Sequence, residues 1–93
     1  MFKNGTRLRS QVCDTEVIIV RCGDELEDLR AGGAAMVPLG SELTSGAELA
    51  PGLDGGNALG KRYVSQGGAE VLVTNAGTGT LTLGSTPLTL KQA

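Results

Sequence analysis

Glu16-Val17-Ile18-Ile19-Val20 and Glu70-Val71-Leu72-Val73-Thr74 are the two stretches of sequence that decide the fold of this chain. Each stretch begins with an acidic residue and continues with aliphatic and β-branched residues, a composition typical of a β-strand. Each is followed by a glycine (Gly23 or Gly77), then by a polar stretch, a leucine, a further glycine and a short apolar segment. The sequence therefore predicts two β-rich units that share one order of features.

The spacing of these features indicates an internal repeat. The second copy follows the first by 54 residues up to the turn and by 52 residues after it. A repeated unit that cannot bury its apolar face alone packs against its neighbour. We therefore expect a mainly β fold, a small pseudo-symmetric β-sandwich or half-barrel made of two hairpin units. Two alternatives are unrelated hairpins with similar preferences, and an α+β fold with one short helix at 25–30.

The chain, 1–93, has the length of a single domain. Its repeat units span residues 12–39 and 66–91, and a glycine-rich connector at 40–60 joins them as a mobile segment or a contact surface. The apolar run after Thr15 predicts a strand buried on both faces. The segment Asn75–Gly79 predicts a hairpin turn of residues that tolerate positive φ. The expected core residues are Val17, Ile19, Val71, Val73, Leu81 and Leu83.

The composition excludes several classes of function. The 93 residues include no histidine, so no Ser-His-Asp or Cys-His catalytic arrangement is possible within the chain. The net charge is −2, the basic residues are scattered along the sequence, and aromatic side chains are nearly absent, so we expect no nucleic-acid partner. No apolar run approaches the length of about 20 residues that spans a membrane. We expect a cytoplasmic protein without a membrane partner, because the N-terminus lacks the apolar region of a secretory signal.

The shortage of large side chains points to a partner. One Phe, one Tyr and no Trp are available to the core. Aromatic side chains bury about 150–250 Å² each, so their absence leaves a small domain thinly stabilised. Small domains of this kind often gain stability from another chain or from a copy of themselves.

Cys13 and Cys22 are the candidate metal ligands. Cys13 lies at the start of a predicted strand, Cys22-Gly23 forms a Cys-Gly turn, and the segment 31–37 follows where a second turn of this kind would lie. This quarter of the chain resembles the iron-binding knuckles of the desulforedoxin and rubredoxin family. The resemblance implies an iron or zinc site with Cys13 and Cys22 as ligands. A tetrahedral thiolate site needs four ligands, so the metal would have to be shared within an oligomer.

The sequence departs from that family in ways that favour another interpretation. The two cysteines are nine residues apart rather than about two, and Ala31 stands where a ligand would lie. We therefore expect no cofactor and two reduced cysteines that serve as small packing residues. A disulfide between Cys13 and Cys22 is the third alternative.

Three other motifs have simpler interpretations. The segment 55–62 approaches a phosphate-binding loop, but Arg62 replaces the hydroxyl residue that holds magnesium, so a plain glycine-rich loop is expected. The acidic residues at 24–28 do not have the spacing of a calcium loop. They indicate a solvated turn or a docking patch for a basic partner. Asp14 and Glu16 share a predicted strand face but do not form a glycosidase pair without a cleft.

These observations predict a small non-catalytic accessory or interaction protein that docks on a larger enzyme or associates with itself. It is not expected to be an enzyme, because no nucleophile and base can be paired. The alternative is a desulforedoxin-like metal-binding or electron-transfer module that uses Cys13 and Cys22 in an oligomer.

Overall fold

The computed structural model of the chain describes residues 2–40, 48–84 and 86–91. These residues form ten β-strands and one 3₁₀ helix at Asp24–Asp28. In chain order the strands are β1 (Arg7–Arg9), β2 (Glu16–Arg21), β3 (Leu29–Ala31), β4 (Ala34–Ala35), β5 (Val37–Pro38), β6 (Arg62–Val64), β7 (Glu70–Asn75), β8 (Leu81–Leu83), β9 (Thr86–Pro87) and β10 (Thr89–Leu90).

The strands form two antiparallel sheets. The larger sheet has the order β10-β6-β7-β2-β1-β5, and the smaller sheet has the order β4-β3-β8-β9. Only Met36 separates β4 from β5, and only Leu88 separates β9 from β10, although the two strands of each pair belong to different sheets. The chain therefore bends from one sheet to the other at both sides of the molecule. The expected mainly β fold with two packed antiparallel layers is confirmed.

The predicted hairpin turn at Asn75–Gly79 is wrong. Strand β7 pairs with β2 and β6, whereas β8 pairs with β3 and β9, so the segment between β7 and β8 connects the two sheets. Packed sheets lie about 10 Å apart and paired strands only about 4.8 Å apart, so this connection has a longer distance to cross than a hairpin turn. Both strands bury apolar side chains in the shared core, but they do so from different sheets.

The structure of the segment 24–31 also differs from the rival prediction of one short helix at 25–30. A 3₁₀ helix occupies Asp24–Asp28, and the chain becomes extended at Leu29, where β3 begins. Leu26 from the helix and Leu29 from the strand are both buried. Their helical spacing in the sequence therefore reflects a shared contact with the core rather than one continuous helix.

The two halves of the chain follow one strand order. Strands β1 to β5 and β6 to β10 occupy equivalent places on either side of the pairs β2–β7 and β3–β8. Backbone hydrogen bonds recur in the same way, since Met36 N donates to Leu29 O at 2.9 Å and Leu88 N donates to Leu81 O at 3.0 Å. This is the order that a duplicated unit would produce. Duplication of the sequence itself stays a prediction.

The core lies between the sheets and contains most of the expected residues. Five of the six predicted core side chains are at most 3% exposed, and Leu83 is half-buried at the edge of the core. The five are Val17, Ile19, Val71, Val73 and Leu81.

The predicted burial of β2 on both faces is wrong. Val17 and Ile19 point into the core, but Ile18 on the other face is half-buried and Val20 is 37% exposed. The larger sheet is covered on one side only, which is common for antiparallel sheets. Its outer face therefore presents aliphatic side chains toward the surface.

The described part of the connector packs against the molecule. Ala50 N donates to Gly32 O at 2.8 Å, Thr80 N donates to Leu53 O at 2.9 Å, and Gly56 N donates to Thr78 O at 2.8 Å. Residues 48–60 thus run along the segment that leads into β8. The remaining connector residues, 41–47, lie outside the described residues, so the expectation of a mobile or contacting segment is not addressed there.

Candidate functional site

Cys13 lies in a polar pocket formed by residues from three separate segments. Its Sγ is 3.3 Å from Ser10 Oγ and 3.1 Å from Thr15 Oγ1, and both partner side chains are fully buried. A Cβ on Gly77 would lie 3.0 Å from the sulfur, and one on Gly79 would lie 3.1 Å from it. Neither glycine has a positive φ. These two glycines therefore allow close approach of the backbone to Cys13, rather than the positive-φ turn that the sequence predicted.

This environment favours the thiolate form of Cys13. Burial raises the pKa of the thiol, but hydrogen bonds with the hydroxyls of Ser10 and Thr15 and with the backbone of Thr15 and Gly79 lower the pKa by more than burial raises it. The net result is a pKa below the ordinary value of a cysteine thiol. Donors aimed at one sulfur stabilise its negative charge.

Asn57 holds this pocket together, although nothing in the sequence except its position in a glycine-rich loop indicated this role. Its side-chain amide donates to Thr15 Oγ1 at 2.8 Å and to Gly79 O at 2.9 Å. Its side-chain carbonyl accepts from Gly77 N at 3.2 Å. The segment 55–62 leads directly into β6 and not into a helix. The segment 55–62, whose sequence is similar to a phosphate-binding loop, therefore anchors the connector to the two sheets.

Cys22 lies far from Cys13. The thiol of Cys22 donates to Phe2 O at 3.1 Å, and its backbone N–H donates to Asn4 Oδ1 at 2.6 Å. The two cysteines lie beyond opposite ends of β2, whose six residues span about 17 Å at the usual rise. Both thiols are free.

This separation does not fit a metal centre that takes both cysteines from one copy. Thiolates bound to one zinc or iron ion lie within about 4 Å of each other. In addition, no group of three or more acidic or cysteine side chains with metal-binding geometry occurs in residues 2–40, 48–84 and 86–91. A disulfide between Cys13 and Cys22 is likewise excluded by distance within one copy.

The acidic residues at 24–28 do not act as one cluster. Asp28 forms a surface ion pair with Arg30 at 3.2 Å, whereas Asp24 is exposed. Glu25 turns the other way and accepts a hydrogen bond from Ser65 Oγ at 2.7 Å. The predicted pairing of Asp14 with Glu16 on a strand face is not found, because β2 begins at Glu16.

The outer face of the larger sheet is the most distinctive surface of the molecule. Strand register places Arg7 opposite Ile18, Ile18 opposite Leu72, and Leu72 opposite Arg62. An aliphatic pair at the centre of the sheet is thus flanked by one arginine on each side. Val20 adds a further exposed aliphatic side chain on β2.

More basic side chains surround this row. We define the basic face as the aliphatic side chains of Ile18, Val20 and Leu72 with the charged side chains around them, which are Arg7, Arg9, Arg21, Arg62, Lys91, Glu16 and Glu70. It carries five positive and two negative charges on a chain whose net charge is −2. The rest of the molecule is therefore strongly acidic, and five of the eight basic residues that are scattered in the sequence lie on or beside one sheet.

Glu70 organises one side of this face. Its carboxylate accepts from Lys91 Nζ at 2.9 Å and from an Arg62 guanidinium nitrogen at 3.2 Å. The hydrogen bond from Lys91 is the main cause that holds the pKa of Glu70 below its ordinary value, with the charge of Arg62 acting in the same direction. Two cations on one carboxylate leave positive charge at the surface.

Comparison with family models, with curated proteins and with solved structures gives no match. Among the helical residues that the structure describes, none belong to a helix with the length and apolar character needed to cross a membrane.

Proposed function

We propose that this chain is a non-catalytic accessory protein of the cytoplasm that docks through its basic face on an acidic surface of a larger protein. The observation that carries this proposal is the collection of five basic side chains around an aliphatic row on one sheet. Docking surfaces commonly combine an apolar centre with a polar rim. Charge complementarity then selects the partner and increases the rate of association.

A protein partner fits this face better than a nucleic acid does. The centre of the face is aliphatic, at Ile18 and Leu72, whereas single-stranded nucleic acids stack on aromatic side chains. Tyr63 cannot serve, because it packs against the core. Glu16 and Glu70 would also face the phosphates unfavourably.

The size of the face favours reversible docking. The 22 strand residues of this sheet, at a rise of about 3.4 Å and a strand spacing of about 4.8 Å, give a flat area of about 360 Å². Stable complexes bury about 800 Å² on each partner. A contact of this smaller size depends on its charges, so we expect binding that weakens as salt is added.

The test compares two charge-reversal variants with the wild-type protein. Arg7→Glu combined with Arg62→Glu changes the face, and Lys3→Glu combined with Lys61→Glu makes the same charge change outside it. Proteins captured from native extract by the wild type are identified, purified and titrated against each variant by calorimetry. Urea unfolding of each variant checks that the fold is retained.

We expect the face variant to bind the purified partner at least about tenfold more weakly, because opposed charges become like charges. The control variant should stay within about twofold of the wild type. Equal affinity of the two variants would overturn the proposal. Release of the partner by nuclease would also overturn the proposal. The same holds if self-association is the only interaction detected and its dissociation constant is the same in both variants.

A further inference from the structure

A cleft of about 280 Å³ opens between the turn that follows β6 and the bend of the chain at Leu88. Val64, Leu83 and Leu88 provide aliphatic walls, and Glu25 lines the same cleft with a carboxylate. Leu83 is the one predicted core residue that is only half-buried, and the cleft is the reason. The residues that line the cleft are not part of the basic face, although Val64 pairs with Glu70 of that face.

The carboxylate of Glu25 is held in a defined place. Ser65 Oγ donates to Glu25 Oε2 at 2.7 Å. A Cβ added to Gly23 would collide with Glu25 Oε1, and one added to Gly67 would collide with Glu25 Oε2. Gly23 has a φ of −143°, which any residue adopts, so a larger residue there would displace the carboxylate without straining the backbone. The two glycines thus form a cradle for Glu25.

The charge of Glu25 is not neutralised within the described residues. No lysine or arginine among them lies within 4 Å of its carboxylate, and its side-chain partner is the neutral hydroxyl of Ser65. The hydrogen bond from Ser65 is the main cause that places the pKa of Glu25 below its ordinary value. The group is therefore ionised at neutral pH.

The equivalent place in the first half of the chain is spanned by a side-chain hydrogen bond. Ser10 N donates to Thr15 O at 2.9 Å, as Ser65 N donates to Ala69 O at 2.9 Å, so the two turns correspond. After the first turn, Gln11 Nε2 donates to Ala35 O at 2.7 Å and bridges the gap. In the second half the corresponding residues, Gln66 and Pro87, both line the open cleft.

We propose that this cleft binds an ammonium or guanidinium group carried on an aliphatic stem. The cation pairs with the Glu25 carboxylate, and the stem packs between Val64, Leu83 and Leu88. Long basic side chains combine these properties, with an apolar stem and a charged end. The same chemistry is found in free alkylamines, so the source is either a small amine or a lysine or arginine of another protein.

The test is a titration followed by two-dimensional ¹H–¹⁵N NMR of the full chain. The probes are n-pentylammonium, its neutral analogue n-pentanol, and an acetylated and amidated Gly-Lys-Gly peptide. Glu25→Gln removes the charge and keeps an acceptor for Ser65, and Gly67→Ala displaces the carboxylate. Asp24→Asn is the matched control, because it removes one charge from an exposed residue of the same 3₁₀ helix.

We expect n-pentylammonium to shift the amide signals of Gly67 and Leu88 and to bind at least about tenfold more tightly than n-pentanol, since charged hydrogen bonds contribute more than neutral ones. Glu25→Gln and Gly67→Ala should lose this preference, whereas Asp24→Asn should keep it. Tighter binding of the peptide would assign the site to a protein side chain, and tighter binding of the free amine would assign it to a small molecule. Equal binding of n-pentylammonium and n-pentanol, or no shift at the cleft with any probe, would overturn the proposal.

Discussion

Truncation of Ile19 tests the position of the core most directly. Ile19 is 1% exposed at the middle of β2, where it pairs with Val71 of β7. Ile19→Ala removes three carbon atoms, which corresponds to about 2.4 kcal/mol at about 0.8 kcal/mol per buried CH₂. The cavity left behind adds to this cost, and buried Ile→Ala changes cost about 2–5 kcal/mol. We expect a loss of about 3 kcal/mol in the free energy of unfolding.

Val20→Ala is the matched control, because Val20 follows Ile19 on the same strand but is 37% exposed. Its cost should be below about 1 kcal/mol, as is usual for surface positions. The cost of Leu83→Ala in the free energy of unfolding should lie between these two values, at about 1–2 kcal/mol, because Leu83 is only half-buried. The expected order of cost is therefore Ile19, then Leu83, then Val20.

Urea unfolding measures these differences through the midpoint and the slope of the transition. If Ile19→Ala does not fold, Ile19→Val replaces it with an expected cost of about 0.5–1.5 kcal/mol. A loss at Ile19 no larger than the loss at Val20 would refute the placement of the core and the inward face of β2.

Three further predictions concern ionisation and metal. In a Cys22→Ser background, Ser10→Ala should raise the pKa of Cys13, because a hydrogen bond to the thiolate is lost. The pKa is measured from the thiolate absorbance at 240 nm as a function of pH. An unchanged titration midpoint would contradict the contact between Ser10 and the Cys13 sulfur. Glu70 has a folded pKa below its ordinary 4.5, so its stabilising effect is present above that pH and is lost on acidification through the folded pKa. Glu70→Gln should therefore show a weaker dependence of the urea midpoint on pH between 3 and 7, and an identical profile would argue against the contacts with its cations. Combined Cys13→Ser and Cys22→Ser substitution should leave metal content at background and cost little stability. The metal-binding alternative would be supported if the wild type retains metal through dialysis against a chelator and the double variant does not.

Much of the local structure was predictable from the sequence. The aliphatic and β-branched runs predicted β2 and β7, and the repeat assigned Val17, Ile19, Val71 and Val73 to the core. These features depend on neighbouring residues and on the two-residue period of a strand, so they can be recognised without knowledge of the partner strand.

The destination of the connection after β7 was not predictable in this way. A glycine-rich segment such as 75–79 is compatible with a hairpin turn and with a passage between sheets. The choice depends on which strands β7 and β8 pair with, and those partners, β2 and β3, lie about half the chain away. Gly77 and Gly79 likewise lie close to Cys13, which belongs to a distant segment of the chain. No local pattern in the sequence predicts this contact.

The sequence by itself determined the β class, the main strands and the apolar residues that supply most of the core, because these follow from short-range patterns of polarity and branching. Only the tertiary structure decided the candidate sites. Arg7 and Arg62 are far apart in the chain, and they flank one aliphatic pair because strand register aligns β1, β2, β7 and β6. Glu25 and Leu88 line one cleft because the chain bends between the sheets at Leu88. Register and sheet exchange arise from long-range packing, and for that reason the surfaces they create are absent from any local reading of the sequence.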